Sequence, residues 1–165
     1  MDETIVESAI RDYGNTVLRV AASVTGNKAD AEDVFSDVFF GLYKHNGSFA
    51  SPQHMKAWLI RVAINRAKNI KGSFWNKKRG ALHDGFAAPE KNGDASDEVL
   101  AAMRRLKGAQ RAVVYLHYYE GWIFKEIAAV LHMREGSVRS AAARGREALK
   151  ELLEKEKERV YYVEI

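Results

Sequence analysis

Arg61, Asn65, Lys68 and Asn69 stand at helical spacing in the stretch KAWLIRVAINRAKNIKGSFWNKKRG, residues 56–80, which contains no acidic residue. Guanidinium and ammonium groups bind anionic oxygens, and a carboxamide carries paired donor and acceptor groups that can read an exposed base edge. A helix face bearing one sign of charge repels itself unless an anion arrives. An anionic partner is therefore expected, and single-stranded nucleic acid, with its phosphates and unstacked bases, suits these groups.

A second group sits near the other end: Arg139, Ser140, Ala143, Arg144 and Arg146. They follow a pattern with its own packing logic. Ala128 is small where two helices must cross, a turn comes four residues later, and Val138 closes a small core with Ile127 and Leu131. That spacing predicts a helix-turn-helix whose second helix starts near Glu135 and presents its first turns to base edges in a major groove. His132 occupies the turn position usually favoured for glycine, and histidine tolerates left-handed backbone better than most residues. A plain helical hairpin with a solvated basic face is the alternative reading.

These side chains need helices to hold them, and the chain reads as all-α. Only two prolines occur, and apolar residues recur at steps of three and four. A first helix is expected over 3–24, ending at Gly26. A second opens at Asp30, with Asp33 three residues on as a capping box, and buries Ala31, Val34, Val38, Phe39 and Leu42. Ser51 followed by Pro52 is an N-cap with proline in the first helical position, so a third helix runs from there to about Lys71. Its buried stripe is Leu59, Val62, Ala63, Ala67 and Ile70, with Trp58 beside it in the core. Phe74 and Trp75, just beyond, either stack on bases or pack. Two short helices, Val99–Leu106 and Ala109–Tyr119, precede the helix-turn-helix. Two small helical domains, 1–79 and 97–155, are thus joined by a flexible linker, 80–96, and followed by a charged and aromatic tail, 156–165.

Charge follows the same division. Residues 38–83 carry nine basic side chains and no acidic one, whereas 1–37 and 84–99 are predominantly acidic; separate surfaces for separate partners are the expectation. Cysteine is absent, which excludes a disulfide framework and thiolate metal sites. The five histidines lack ligand spacing, so neither metal nor cofactor is expected. No phosphate-binding glycine loop, paired catalytic carboxylates or nucleophile-histidine pair stands out, which argues against an enzyme. The first residues, with Asp2, Glu3 and Glu7, lack the character of a signal peptide, and no apolar run is long enough to insert in a membrane, so a cytoplasmic location is expected.

Three segments, DAEDVFSDVFFGLYKH, KAWLIRVAINRAKN and GWIFKEIAAVLHMREGSVRSAAARGREALKELL, in this order around a short acidic linker, resemble the bacterial sigma-70 family, specifically its small two-domain extracytoplasmic-function members. The resemblance implies a protein that binds core RNA polymerase, directs it to promoters and helps open the DNA. It implies that Asn65 lines a pocket for a flipped non-template base, with Lys56, Arg61, Lys68 and Asn69 nearby. Arg139, Ser140, Arg144 and Arg146 would meet the minus-thirty-five element, and Asp33, Ser36 and Asp37 would face the polymerase clamp helices. An anti-sigma factor is an implied partner, and the acidic linker either threads the polymerase channel or serves as a tether.

Three departures from the family pattern bear on these expectations. Ser36 stands where glutamine is frequent, Ala141 and Ala143 where larger residues are frequent, and Ile123 where a capping serine is frequent. Small residues on the recognition helix either thin base readout or shift it toward thymine methyl groups. The runner-up function is a stand-alone helix-turn-helix regulator of duplex DNA. Two separate DNA-facing surfaces are more than such a regulator needs.

Overall fold

The computed structural model describes residues 1–70 and 97–163. The chain forms two compact units, Met1–Pro89 and Glu90–Ile165. The expected linker 80–96, and Phe74 and Trp75, lie outside the described residues.

In the first unit, α1 spans Glu3–Thr25. The Asp2 carboxylate accepts from the Thr4 amide at 3.2 Å, and the hydrogen bonds from Thr4 hold this carboxyl below the usual aspartate range. Gly26, at φ 81°, ends the helix in the left-handed conformation that glycine adopts without steric cost. Helix α2 spans Lys28–Tyr43, beginning earlier than Asp30. Asn27 is its cap: Oδ1 accepts from the Asp30 amide at 2.8 Å and Nδ2 donates to the Asp30 carboxylate at 2.7 Å. Asp30 is thus the third residue of the helix rather than its start. The five apolar side chains assigned to the core from this helix are all buried.

Helix α3 spans Pro52–Asn69, with Ser51 Oγ accepting from the His54 amide at 3.1 Å. Its buried face is Leu59, Ile60, Ala63, Ile64 and Ala67. Val62 and Ile70 are only half-buried, so the stripe is rotated from the expected one toward Ile60 and Ile64. The larger branched side chains take the centre of a three-helix core with Val17, Val20, Val24, Val34, Val38, Leu42 and Leu59. Each fully buried side chain of this class contributes about 1.5–3 kcal/mol.

The second unit begins with α4, Asp97–Arg104, and α5, Gly108–Val114. Arg111 is buried, its Nη1 donating to the carbonyls of Arg104 and Leu106 at 3.4 Å each, which closes the end of α4. Burial pushes this guanidinium down to about 10. The expected α-helix to Tyr119 instead becomes a π-helical turn at Tyr115–Tyr119. The wider turn stacks the Tyr115 and Tyr119 rings at 5.4 Å, and Tyr115 donates to Glu120 Oε1 at 3.0 Å. Gly121, at φ 71°, reverses the chain.

Helix α6 spans Phe124–Leu131 and α7 spans Glu135–Val163. Ile123 offers no capping oxygen, but Glu126 Oε2 accepts from the Ile123 amide at 3.2 Å and takes over half of a capping box. His132 sits at φ 55°, ψ 45°, and the Met133 amide donates to Ala128 O at 3.0 Å across the turn. Ile127, Ala128, Leu131 and Val138 are buried together with Ala141 and Ala142. Helix α7 crosses α5 closely at Gly145, where a Cβ would stand 2.6 Å from Val114 Cγ2 and 3.3 Å from the Gln110 carbonyl. The helix also continues through most of what the sequence suggested as a separate tail.

Candidate nucleic-acid interface

At about 100° of rotation per residue, Arg61, Asn65, Lys68 and Asn69 share one side of α3, opposite its buried face. Arg61, Asn65 and Asn69 are exposed, and Lys68 is half-buried. Desolvation lowers the Lys68 pKa, as expected for an amine whose stem lies along apolar surface. Lys56 is not part of this row. It lies nine residues before Asn65, half a revolution away, and is half-buried at the first turns of the helix.

Two residues that sequence reasoning left out of the site continue the row toward the helix start: His54 and Trp58. Trp58 is half-buried and belongs to a satellite ring cluster rather than to the helical core. The loop between α2 and α3 supplies its cover, with His45 and Phe49 centroids 5.1 and 5.6 Å from the Trp58 ring. His45 stacks on Phe49 at 5.0 Å, and His54 meets the Phe49 edge at 5.6 Å. His54 Nδ1 also accepts from the Ala50 amide at 3.2 Å, fixing the loop against the helix. The three-and-four spacing from His54 through Trp58 to Arg61 was the available signal. It was masked because tryptophan beside an apolar stripe reads as core. The resulting surface sets an aromatic ledge beside a cationic and amide row, with no acidic side chain between 38 and 70.

On α7, the second helix of the helix-turn-helix, Arg139, Ser140, Ala143, Arg144 and Arg146 are all exposed. They are not equivalent. Arg139 Nη2 is held by Glu135 Oε1 at 2.8 Å, one turn back. Arg146 lies at the edge of the face, where its Nη1 donates to the Tyr118 hydroxyl at 3.2 Å. Ser140, Ala143 and Arg144 face outward between them. Ala141 is buried and forms part of the support of the helix, so its small size serves packing rather than base readout.

The outer face of α2 carries Asp33, Ser36 and Asp37, all exposed. Ser36 Oγ donates to the Glu32 carbonyl at 3.1 Å, within its own helix. Among the described residues no group of three histidine, cysteine or carboxylate side chains is placed to hold a metal. No described helix is long and apolar enough to cross a membrane.

Residues 9–78 match the family model for sigma-70 region 2, and residues 96–149 that for sigma-70 region 4. The ECF RNA polymerase sigma factor SigL of Mycobacterium tuberculosis (strain H37Rv) is 32% identical over 151 residues, covering 84% of this chain and 83% of that protein. The ECF RNA polymerase sigma factor SigE of Mycolicibacterium smegmatis is 28% identical over 90% of this chain, which spans 62% of that relative. Among solved structures, the sigma factor RpoE in complex with the anti-sigma factor NepR from Bartonella quintana shares the fold, with a TM-score of 0.59 at 20% identity over 90% of this chain and 96% of that one. A two-unit helical chain with an acid-free basic helix, a helix-turn-helix and these relatives belongs to the sigma-70 family, among its extracytoplasmic-function RNA polymerase sigma factors.

Proposed function

We propose that this chain directs core RNA polymerase to promoters by using its two units on two forms of DNA. The α3 row of Arg61, Asn65, Lys68 and Asn69 takes the non-template strand of the minus-ten element as it opens. Cations hold its phosphates, and the Asn65 carboxamide reads one unstacked base. Lys56, on the other side of the helix, acts at most on the flanking backbone. The first turns of α7 enter the major groove of the minus-thirty-five element, where Ser140 and Arg144 meet base edges and Ala143 offers a methyl-sized contact to thymine. Arg139 and Arg146, each held by a neighbouring side chain, are aimed rather than free to search. Asp33 and Asp37 on α2 face the polymerase.

The single observation that carries this reading is the segregation of charge by face. The α3 row combines exposed cationic and amide groups without a carboxylate, while the outer face of α2 presents carboxylates. One surface suits phosphates and the other repels them.

The chain has no catalysis of its own in this account, works in the cytoplasm where the polymerase is, and is held in check by an anti-sigma factor. That last element is supported by the sigma relative solved with such a partner. Run-off transcription with purified core polymerase tests the whole proposal. A promoter-dependent transcript is expected only when the chain is added, and failure of the chain to associate with core would overturn the reading.

A further inference from the structure

The outer row of α2 continues past its carboxylates. Asp33, Ser36, Asp37, Phe40 and Lys44 follow one another at helical spacing on the side opposite Val34, Val38 and Leu42. Phe40 is 57% exposed and Tyr43, at its flank, 53%. Lys44 Nζ lies 4.2 Å from the Phe40 ring centroid, so one face of the ring carries a cation and the rest is open. Ser36, by contrast, has its only hydroxyl proton engaged by Glu32 O.

From this arrangement we infer that Phe40, rather than residue 36, is the anchor by which α2 grips core polymerase. The inference rests on α2 being the polymerase-facing helix. The occupant is a protein surface of the core enzyme presenting an apolar pocket with cationic side chains on the side that meets Asp33 and Asp37, away from Lys44. Charge selects that chemistry, because Asp33 and Asp37 in the same row repel a phosphate backbone and attract lysine and arginine. Energetics selects the residue. A large aromatic side chain buried at the centre of an interface is the usual hot spot, and charged neighbours at the rim contribute mainly to encounter and orientation. The Lys44 ammonium over the ring restricts its rotamers before binding, which lowers the entropic cost of docking. A serine engaged with its own backbone offers the partner only a weak acceptor.

The test measures the affinity of the full chain for purified core polymerase by competition against a labelled chain. Phe40→Ala is expected to weaken binding by about 30-fold or more. Phe40→Leu, which keeps apolar bulk, retains most of the affinity, and Ser36→Ala stays within about twofold. Phe40 is exposed, so thermal melting of the variants is expected to match that of the parent chain. Asp33→Lys combined with Asp37→Lys reports on the parent reading. If that pair abolishes binding while Phe40→Ala stays within about twofold, the anchor is wrong and the polymerase-facing helix stands. If neither matters, α2 is not the polymerase-facing helix and the inference falls with it. A second copy of the chain as the occupant would appear as self-association of the free chain lost in Phe40→Ala with core affinity unchanged, which also overturns the proposal.

Discussion

At the scale of single residues, Asn65 is where chemistry and position coincide: an exposed carboxamide in a row of cations, beyond a ledge of aromatic rings. Removing it is expected to act after promoter docking. Asn65→Ala should lower open-complex formation by about 10- to 100-fold, the worth of one captured base, as read by permanganate reactivity of thymines in the holoenzyme. Holoenzyme binding to a minus-thirty-five duplex should be unchanged. Arg144 belongs to the opposite class. As a base-edge contact, Arg144→Ala is expected to weaken binding to the matched duplex by about 1–3 kcal/mol and to relax base preference at one position, measured by anisotropy with holoenzyme on matched and substituted duplexes. The side-chain types at these positions were readable from the sequence, since they depend on residue identity and helical period alone. Trp58 was not, because its environment is built by His45 and Phe49 from a loop whose path no periodicity encodes. Ala141 was misread for a related reason: an alanine on a recognition helix looks like a reduced DNA contact until the neighbouring helix is seen to press against it.

Elements were legible where a local chemical rule fixes their ends. Ser51–Pro52, Gly26 and the His132 turn fall where capping and left-handed backbone predict. The start of α2 was missed because Asn27 caps the Asp30 amide while its side-chain Nδ2 donates to the Asp30 carboxylate, and a search for the first acidic residue lands on the residue being capped. The π turn was missed because YLHYY keeps an apolar pattern compatible with plain helix. The extra width shows in the backbone, where the Glu120 amide donates to the Tyr115 carbonyl five residues back at 3.3 Å. Two outcomes belong here. Gly145→Val places branched carbon into the α5–α7 crossing and is expected to destabilise the C-terminal unit by about 2 kcal/mol, with weakened minus-thirty-five binding; urea denaturation followed by circular dichroism measures the first. At the other end, Asp2 titrates below the ordinary aspartate range. A lowered folded-state value means that the cap is present above that range and lost as pH falls through the lowered value. Loss of exchange protection at the Thr4 amide, followed by NMR, should therefore have its midpoint below the ordinary aspartate value.

For the molecule as a whole, charge segregation decides what it does alone and what it does in company. Opening about ten base-pair steps costs on the order of 14 kcal/mol, at about 1.4 kcal/mol per step. Capturing one or two bases returns about 1–3 kcal/mol each. The free chain is therefore expected to bind promoter duplex weakly and to melt none of it. Permanganate-reactive thymines produced by the isolated chain would contradict this. The two-unit, all-helical organisation follows from composition and periodicity, and the blockwise charge already separates the partners. Orientation was encoded but overlooked: Lys56 and Asn65 are nine residues apart in one basic stretch, which at about 100° per residue sets them on opposite sides once the helix forms. A different consequence follows from the wide turn at Tyr115–Tyr119. It accommodates one residue more than a regular helix would, so in mutational terms it is where this unit has slack in length. Losing a single codon there rewinds the turn while its flanks keep their bearings, whereas the same loss inside α7 swings everything beyond it by about 100°.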